Sequence, residues 1–213
     1  IYARLNTEAY YHCDNSIGNY DSIAKWNNGR FDAIVSCPPF GLRLSPEQRF
    51  CAEHVSPYCS NKSVEEILLK RAFRQNDARL VVTLFSMGFC YKGEPGSYEY
   101  ELRKELIERN LVDTIVALPS NILYGTSVPC IILVCKANRS NNEPVKFIHA
   151  EDYFTGTGRK RVFEYDRFVE MIEGDECDCE KIPLDEIRLF AYNLYPSLYF
   201  KRDYKLKEGQ DMV

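Results

Sequence analysis

Short runs of continuous apolar, often β-branched residues alternate along this chain with stretches in which apolar positions recur every three or four residues. That alternation is the pattern of a parallel sheet covered by helices. Residues 10–13 form a short strand candidate, and FDAIVS at 31–36 and LVVTLF at 80–85 are stronger ones, because turn residues bound both runs. All three are expected to be buried. Between the last two, Ser63 followed by Glu66 has the spacing of a capping box, and Val64, Ile67, Leu68 and Ala72 then share one helical face. A second helix is predicted over 98–109, with Tyr98, Leu102 and Leu106 on one face and Asn110 ending it. The strand 114–118 follows, then a loop with Pro119 and Gly125, then the apolar run PCIILVC at 129–135, and 145–148 is expected to add an edge strand. The sheet should hold five or six strands.

Past Ala150 the composition turns to Thr, Gly and charge (TGTGRKRVFEYD), which divides the chain into a main domain, 1–150, and an extension, 151–213. A short helix is predicted over 166–173, ahead of the acidic segment GDECDCE. Residues 182–187 and the aromatic segment AYNLYPSLYF should pack back onto the main domain, since so many Tyr, Leu and Phe side chains are costly to leave in water. At the other end the first residue is not Met, and Ile1 to Asn6 reads as the last turns of a helix, so residues upstream are expected.

Composition narrows the function classes. With 213 residues, 45% of them hydrophobic, the chain can bury a sizeable core. It has no run of about 18 apolar residues and no signal-peptide pattern, which points to no membrane and to the cytoplasm. The nine cysteines are scattered through strand-like and helical stretches (Cys13, Cys90, Cys130, Cys135) and read as free thiols. Zinc is disfavoured, because neither Cys51-x-x-His54-x4-Cys59 nor Cys177-x-Cys179 supplies paired C-x2-C ligands. A net charge of −4 gives no global basic field, so contact with phosphates would need a local patch or a partner. The short clusters Arg159-Lys160-Arg161 and Lys201-Arg202 carry little weight, because such runs are usually solvated faces.

The chemistry-bearing motif is Ser36-Cys37-Pro38-Pro39-Phe40, at the carboxyl end of the strand FDAIVS. Ligands of open α/β sheets bind outside the carboxyl ends of strands, and two consecutive prolines stiffen the loop there. An exocyclic amine such as adenine N6 is a poor nucleophile, because its lone pair is delocalised into the ring. A loop that accepts both N–H hydrogens, through a side-chain oxygen and a backbone carbonyl, re-aims that lone pair, and a neighbouring aromatic ring holds the flipped base by stacking. Cys37 with two prolines after it has no sequence-evident His partner, which speaks against nucleophilic thiol catalysis.

Strand followed by CPPF resembles the strand and Asn-Pro-Pro-Phe loop of amino-methylating DNA methyltransferases. The segment PSNILYGTSVPCIILV from Pro119, the stretch from Tyr98 to Leu111, and YNLYPSLY from Tyr192 resemble, in order, three further conserved stretches of the modification (M) subunits of type I restriction-modification systems. The chain is therefore identified as similar to the C-terminal part of the methyltransferase domain of that family. The resemblance implies an α/β fold, a doubly wound, mostly parallel Rossmann-like sheet with an antiparallel last strand, lacking its first strands. It further implies adenine-N6 methylation of DNA, S-adenosylmethionine as cofactor, and double-stranded DNA, a specificity subunit and a restriction subunit as partners.

Carried over by position, Cys37 occupies the catalytic Asn place, Pro38 and Pro39 form the rigid loop with the Pro38 carbonyl as acceptor, and Phe40 is the stacking ring. Asp14, in Cys13-Asp14-Asn15-Ser16-Ile17, matches a cofactor-contacting Asp, although an Asp after a strand is also a common turn or helix cap. Two departures bear on activity. Sulfur is a weaker acceptor than an amide oxygen, and loss of one preorganised contact costs about 3 kcal/mol, on the order of a hundredfold in rate. The family's Gly-rich cofactor loop is also missing, and Gly156-Thr157-Gly158 lacks the strand-to-helix context to replace it. The alternative is a catalytically degenerate subunit of the same fold that serves in assembly or in clamping DNA.

Overall fold

The structure, a computed structural model, describes residues 29–40, 42, 44–53, 64–75, 77–123, 126–174 and 179–200. The strand candidate at 10–13, Asp14, Ser63, Gly125, His54, Cys59, Cys177, Lys201 and Arg202 lie outside the described residues.

The main sheet has six strands: β1 (Ala33–Ser36), β2 (Leu80–Ser86), β3 (Val112–Ala117), β4 (Cys130–Lys136), β5 (Val145–His149) and β8 (Cys179–Ile182), in the spatial order β1-β2-β4-β3-β5-β8. A two-stranded hairpin, β6 (Phe154–Thr155) with β7 (Val162–Phe163), stands apart from it. Pairing is parallel for β1/β2 and β3/β5 and antiparallel for β2/β4, β3/β4 and β5/β8. Strands β1, β2, β3 and β5 therefore run one way, which makes the sheet mostly parallel and gathers their carboxyl ends at one edge. The antiparallel β4 is inserted between β2 and β3, so that the β3–β4 connection lies at the same edge. Five helices accompany the strands among the described residues: α1 (Pro46–Glu53), α2 (Val64–Gln75), α3 (Tyr98–Glu108), α4 (Tyr165–Glu173) and α5 (Leu184–Leu189).

Helix α3 shows why the local sequence folds as it does. Ser97 caps it by accepting from the Tyr100 amide at 3.3 Å, and Glu99 and Glu101 in its first turn complement the helix dipole. It stops where Asn110 takes a left-handed conformation at φ 51°.

One face of the sheet is sealed. Val81, Phe85, Ile115, Ile131, Leu133, Val145 and Phe147 pack there against Leu69 and Ala72 of α2 and Leu102, Leu106 and Ile107 of α3. Leu184 and Ile187 of α5, Leu194 and Tyr199 join the same core, so the C-terminal segments do fold back onto the sheet. Arg103 is buried in this layer, 2% exposed, and donates to the carbonyls of Phe89 (2.9 Å), Lys92 (2.7 Å) and Tyr192 (3.0 Å). Its charge is accommodated by converging backbone dipoles, and it ties α3 to the short 3-10 turn Met87–Cys90 and to the aromatic segment.

Two expectations need correction. The strand at 145–149 is not an edge: β8 pairs along its outer side, with Val145 opposite Ile182 and Ile148 opposite Cys179. Burial of all the early strands fails for β1, the outermost strand of the described sheet, where Val35 is 78% exposed. An apolar run specifies a strand, but its burial depends on what covers it. Cys37, Cys90, Cys130, Cys135 and Cys179 are free thiols, as expected. Among the described residues no helix is long and apolar enough to cross a membrane.

Candidate functional site

The residues of the CPPF loop leave β1 at the edge where the parallel strands end. Ser36, the last residue of β1, sits opposite Thr83 and donates its hydroxyl to the Thr83 Oγ1 at 2.8 Å, which ties the start of the loop to the sheet. Cys37 is exposed, Pro38 buried, Pro39 exposed and Phe40 half-buried. A buried proline flanked by exposed residues anchors the loop at one point, and the fixed φ of both prolines limits how the rest can move. Phe40 turns onto the second face of the sheet, where it packs at the margin of an apolar cluster that contains Val116, Leu118, Cys130 and Ile148.

A second loop, between β3 and β4, closes one side of this apolar floor. The Leu118 amide donates to the Cys130 carbonyl at 3.1 Å and the Met87 amide to the Pro129 carbonyl at 2.8 Å, so both ends of the loop are pinned to the sheet. Ile122 and Leu123 from it join the cluster around Phe40. The third wall follows β5: the Ala150 amide donates to the Ala117 carbonyl at 3.0 Å, and the hairpin β6–β7 then stands beside the second loop. Arg161 fixes it there, donating through Nη1 to the Ser120 carbonyl (3.1 Å) and Oγ (2.9 Å) while its guanidinium lies 4.0 Å from the Phe154 ring centroid. Below the hairpin, Phe168 of α4 takes edge contacts from Tyr153 and Phe163.

The electrostatics agree with a shallow apolar floor. Burial pushes the Cys130 thiol up to about 11, and the proximity of Cys37 adds to the rise. Cys130 is therefore an uncharged part of the floor at neutral pH, while Cys37 occupies its exposed rim. At one margin His149 Nε2 lies 3.2 Å from Glu151 and Nδ1 3.9 Å from Asp152. A crevice between α2 and α3, lined by Leu69, Phe73, Leu102 and Leu106, belongs to the sealed core on the opposite face.

The sequence profile of the N-6 DNA methylase family matches residues 6–208 of the chain. The chain belongs to the N-6 DNA methylase family. It is 41% identical over 144 residues to the type I restriction enzyme MpnII methylase subunit of Mycoplasma pneumoniae, covering 60% of this chain and 24% of that protein. It is 29% identical over 203 residues to the MjaVIII methylase subunit of Methanocaldococcus jannaschii, covering 86% of this chain and 34% of that protein. The chain thus spans about a quarter to a third of the length of these relatives. Among solved structures, the methyltransferase subunit of a type I system from Streptococcus thermophilus superposes with a TM-score of 0.68 at 21% identity, over 86% of this chain and 42% of that one. The M protein of the type I enzyme EcoKI gives 0.59 at 12% identity, over 81% of this chain and 44% of that one. These likenesses show the methyltransferase fold, and the relatives bear out the resemblance to type I methylase subunits.

In this member of the N-6 DNA methylase family the structure places Phe40 in one apolar cluster with Ile122 and Leu123 of the β3–β4 loop and brings Cys37 near Cys130. The role of Arg161 in joining two of the walls was missed, because Arg159-Lys160-Arg161 read as a solvated run. Gly-Thr-Gly between apolar pairs was the available signal, being the composition of a tight hairpin. S-adenosylmethionine use is general to the family, and Asp14, the residue matched to a cofactor contact, lies outside the described residues.

Proposed function

We propose that this chain is the stretch of a type I adenine-N6 DNA methylase subunit that holds the target base, with the CPPF loop as its clamp. The observation that carries the reading is the position of Phe40: half-buried on an apolar floor, at the carboxyl edge of the sheet, beside a loop anchored by Pro38 and by the Ser36–Thr83 hydrogen bond. A flipped adenine stacking on Phe40 would meet the backbone of Pro38 and Pro39 and the side chain of Cys37, where an exocyclic amine can be oriented.

S-adenosylmethionine supplies the methyl group when bound, and in this chain only Asp14 matches a contact to it. Every role assigned to described residues therefore concerns the base. Phe40 stacks, the Pro38 carbonyl accepts one N–H, and Cys37 offers its sulfur to the other more weakly than an amide would. Residues 1–150 carry this clamp, and 151–213 form an extension that completes the sheet and the rim. Duplex DNA, a specificity subunit and a restriction subunit are the proposed partners, in the cytoplasm. Assembly with other subunits is supported by a solved structure concerned with complex assembly of a type I system, whose fold this chain shares with a TM-score of 0.70 over 98% of its length at 14% identity.

A second reading, an assembly or DNA-clamping subunit that has lost chemistry, is favoured by one observation, the exposed thiol of Cys37 in the place of an amide. Methyl transfer to duplex DNA by the subunit carrying this chain, assembled with its specificity partner, separates the two. Cys37→Asn should raise the rate on the order of a hundredfold, and Phe40→Ala in that background should remove the gain. No transfer by either protein, with no S-adenosylmethionine binding in calorimetry, would overturn the methylase reading.

A further inference from the structure

Helix α4 carries more apolar surface than the sheet covers. Successive residues of an α-helix turn by about 100°, so positions three and four apart share a face. On one face, Phe168 belongs to the apolar cluster on the second face of the sheet and Met171 packs against that cluster, while Tyr153 and Phe163 meet the Phe168 ring edge-on. Tyr165, Val169 and Ile172, at i, i+4 and i+7, form a second apolar row directly beside the first. Tyr165 is 67% exposed, Ile172 41% exposed and Val169 half-buried among the described residues. Exposed apolar residues scattered singly are normal on a protein surface, but a continuous row on a helix that already has a buried face marks a contact surface. A third row runs next to it: Asp166, Glu170 and Glu173, again at i, i+4 and i+7, are exposed and acidic. Arg167 lies on the opposite flank of the buried face, donating to Glu164 at 2.7 Å with its guanidinium 4.7 Å from the Tyr153 ring centroid. Around the helix the order is therefore buried apolar, exposed apolar, exposed acidic.

We propose that the row Tyr165, Val169 and Ile172 is the docking site for an amphipathic helix of a partner protein, one whose apolar stripe is flanked by Lys or Arg. The apolar stripe packs on the row while the basic flank meets Asp166, Glu170 and Glu173, in the way charged flanks beside an apolar seam set partner choice between paired helices. Nucleic acid and anionic lipid are poor occupants, since their phosphates would face an acidic row. A second copy of this chain would bring the same acidic row into an isologous contact, like charge against like. The site goes beyond the proposed function and stands without it, because no residue of the base clamp takes part.

The probes are two synthetic peptides of about 20 residues with the same leucine stripe, flanked by lysine in one and by glutamate in the other. Fluorescence anisotropy with the subunit that carries this chain should show saturable binding of the lysine peptide, and binding of the glutamate peptide weaker by about tenfold or more. Ile172→Asp should weaken the lysine peptide by about tenfold or more, and Asp166→Lys/Glu170→Lys should reverse the preference toward the glutamate peptide. All three positions are exposed, so the urea unfolding midpoints should stay near that of the unsubstituted protein, and the charge reversal alone decides the matter if Ile172→Asp unfolds. In the whole subunit a maleimide should label Ile172→Cys, as located by peptide mass mapping. No binding of the lysine peptide, equal binding of both peptides, or a preference unaltered by the charge reversal would overturn the site. Shielding of Ile172→Cys would show the row covered within the subunit, and self-association abolished by Ile172→Asp would assign it to a second copy; each overturns the site too. Methyl transfer should be the same in all these variants, so this site and the methylase reading fail separately.

Discussion

The two faces of the central sheet are built from the same kind of strand and finished differently. On one, Phe85, Ile115, Ile131, Leu133 and Phe147 are 1% exposed or less beneath α2, α3, α5 and the aromatic segment. On the other, Leu84, Ile132 and Val134 remain half-buried and Val35 is largely exposed, with Phe40, the β3–β4 loop and α4 covering only one end. Close packing makes the sealed face the source of stability, where any lost methylene is felt. The open face forgoes that burial, which leaves an apolar floor that a planar ligand can share.

The contrast is broken most strongly from the sealed side. Phe147→Ala, which removes a fully buried ring in contact with Tyr199 at a centroid distance of 4.5 Å, should cost about 3–5 kcal/mol in urea unfolding. Arg103→Met should cost somewhat less, on the order of 2–4 kcal/mol, because the carbonyls of Phe89, Lys92 and Tyr192 lose their donor while the buried charge disappears. A loss under about 1 kcal/mol would mean that the sealed layer is looser than its packing indicates.

On the open side, Phe40→Ala should lower stability by about 1 kcal/mol, while base stacking worth about 1–3 kcal/mol is lost from DNA binding. Equal losses in both measurements would make Phe40 an ordinary packing residue.

A smaller effect concerns pH. Burial would raise the Asp113 carboxyl, but hydrogen bonds from Lys136 and Thr114 and the charges of Lys136 and Arg139 outweigh it and hold the group below its ordinary value of 3.8. Its contribution is therefore complete above that ordinary value and disappears as pH falls through the lower folded one. Asp113→Asn should remove a few tenths to about 1 kcal/mol near neutrality and flatten the acid limb of the stability curve. Val35→Thr, on the open face, should stay within about 0.5 kcal/mol, and a larger loss would show that β1 is covered in solution.

The strands β1 to β5 and the helices α2, α3 and α4 were legible because their signals are local. Continuous apolar runs marked β2, β3 and β4, and the recurrence of Tyr98, Leu102 and Leu106 on one face marked α3. The strand β8 was not legible, since its four residues CEKI carry charge and follow an acidic segment; only its partner β5 makes it a strand. The anchoring by Arg161 likewise depends on Ser120, forty-one positions away, and no local pattern encodes such a contact.

The sequence by itself determined the fold class, the family and the CPPF loop at the end of a strand, because periodicity, turn chemistry and an ordered set of motifs are written in neighbouring residues. Only the tertiary structure decided which sheet face is sealed, that 145–149 is an interior strand, and that Phe40, the β3–β4 loop and the basic hairpin meet at one edge. Those outcomes depend on pairings between distant segments, where burial belongs to the partner as much as to the residue.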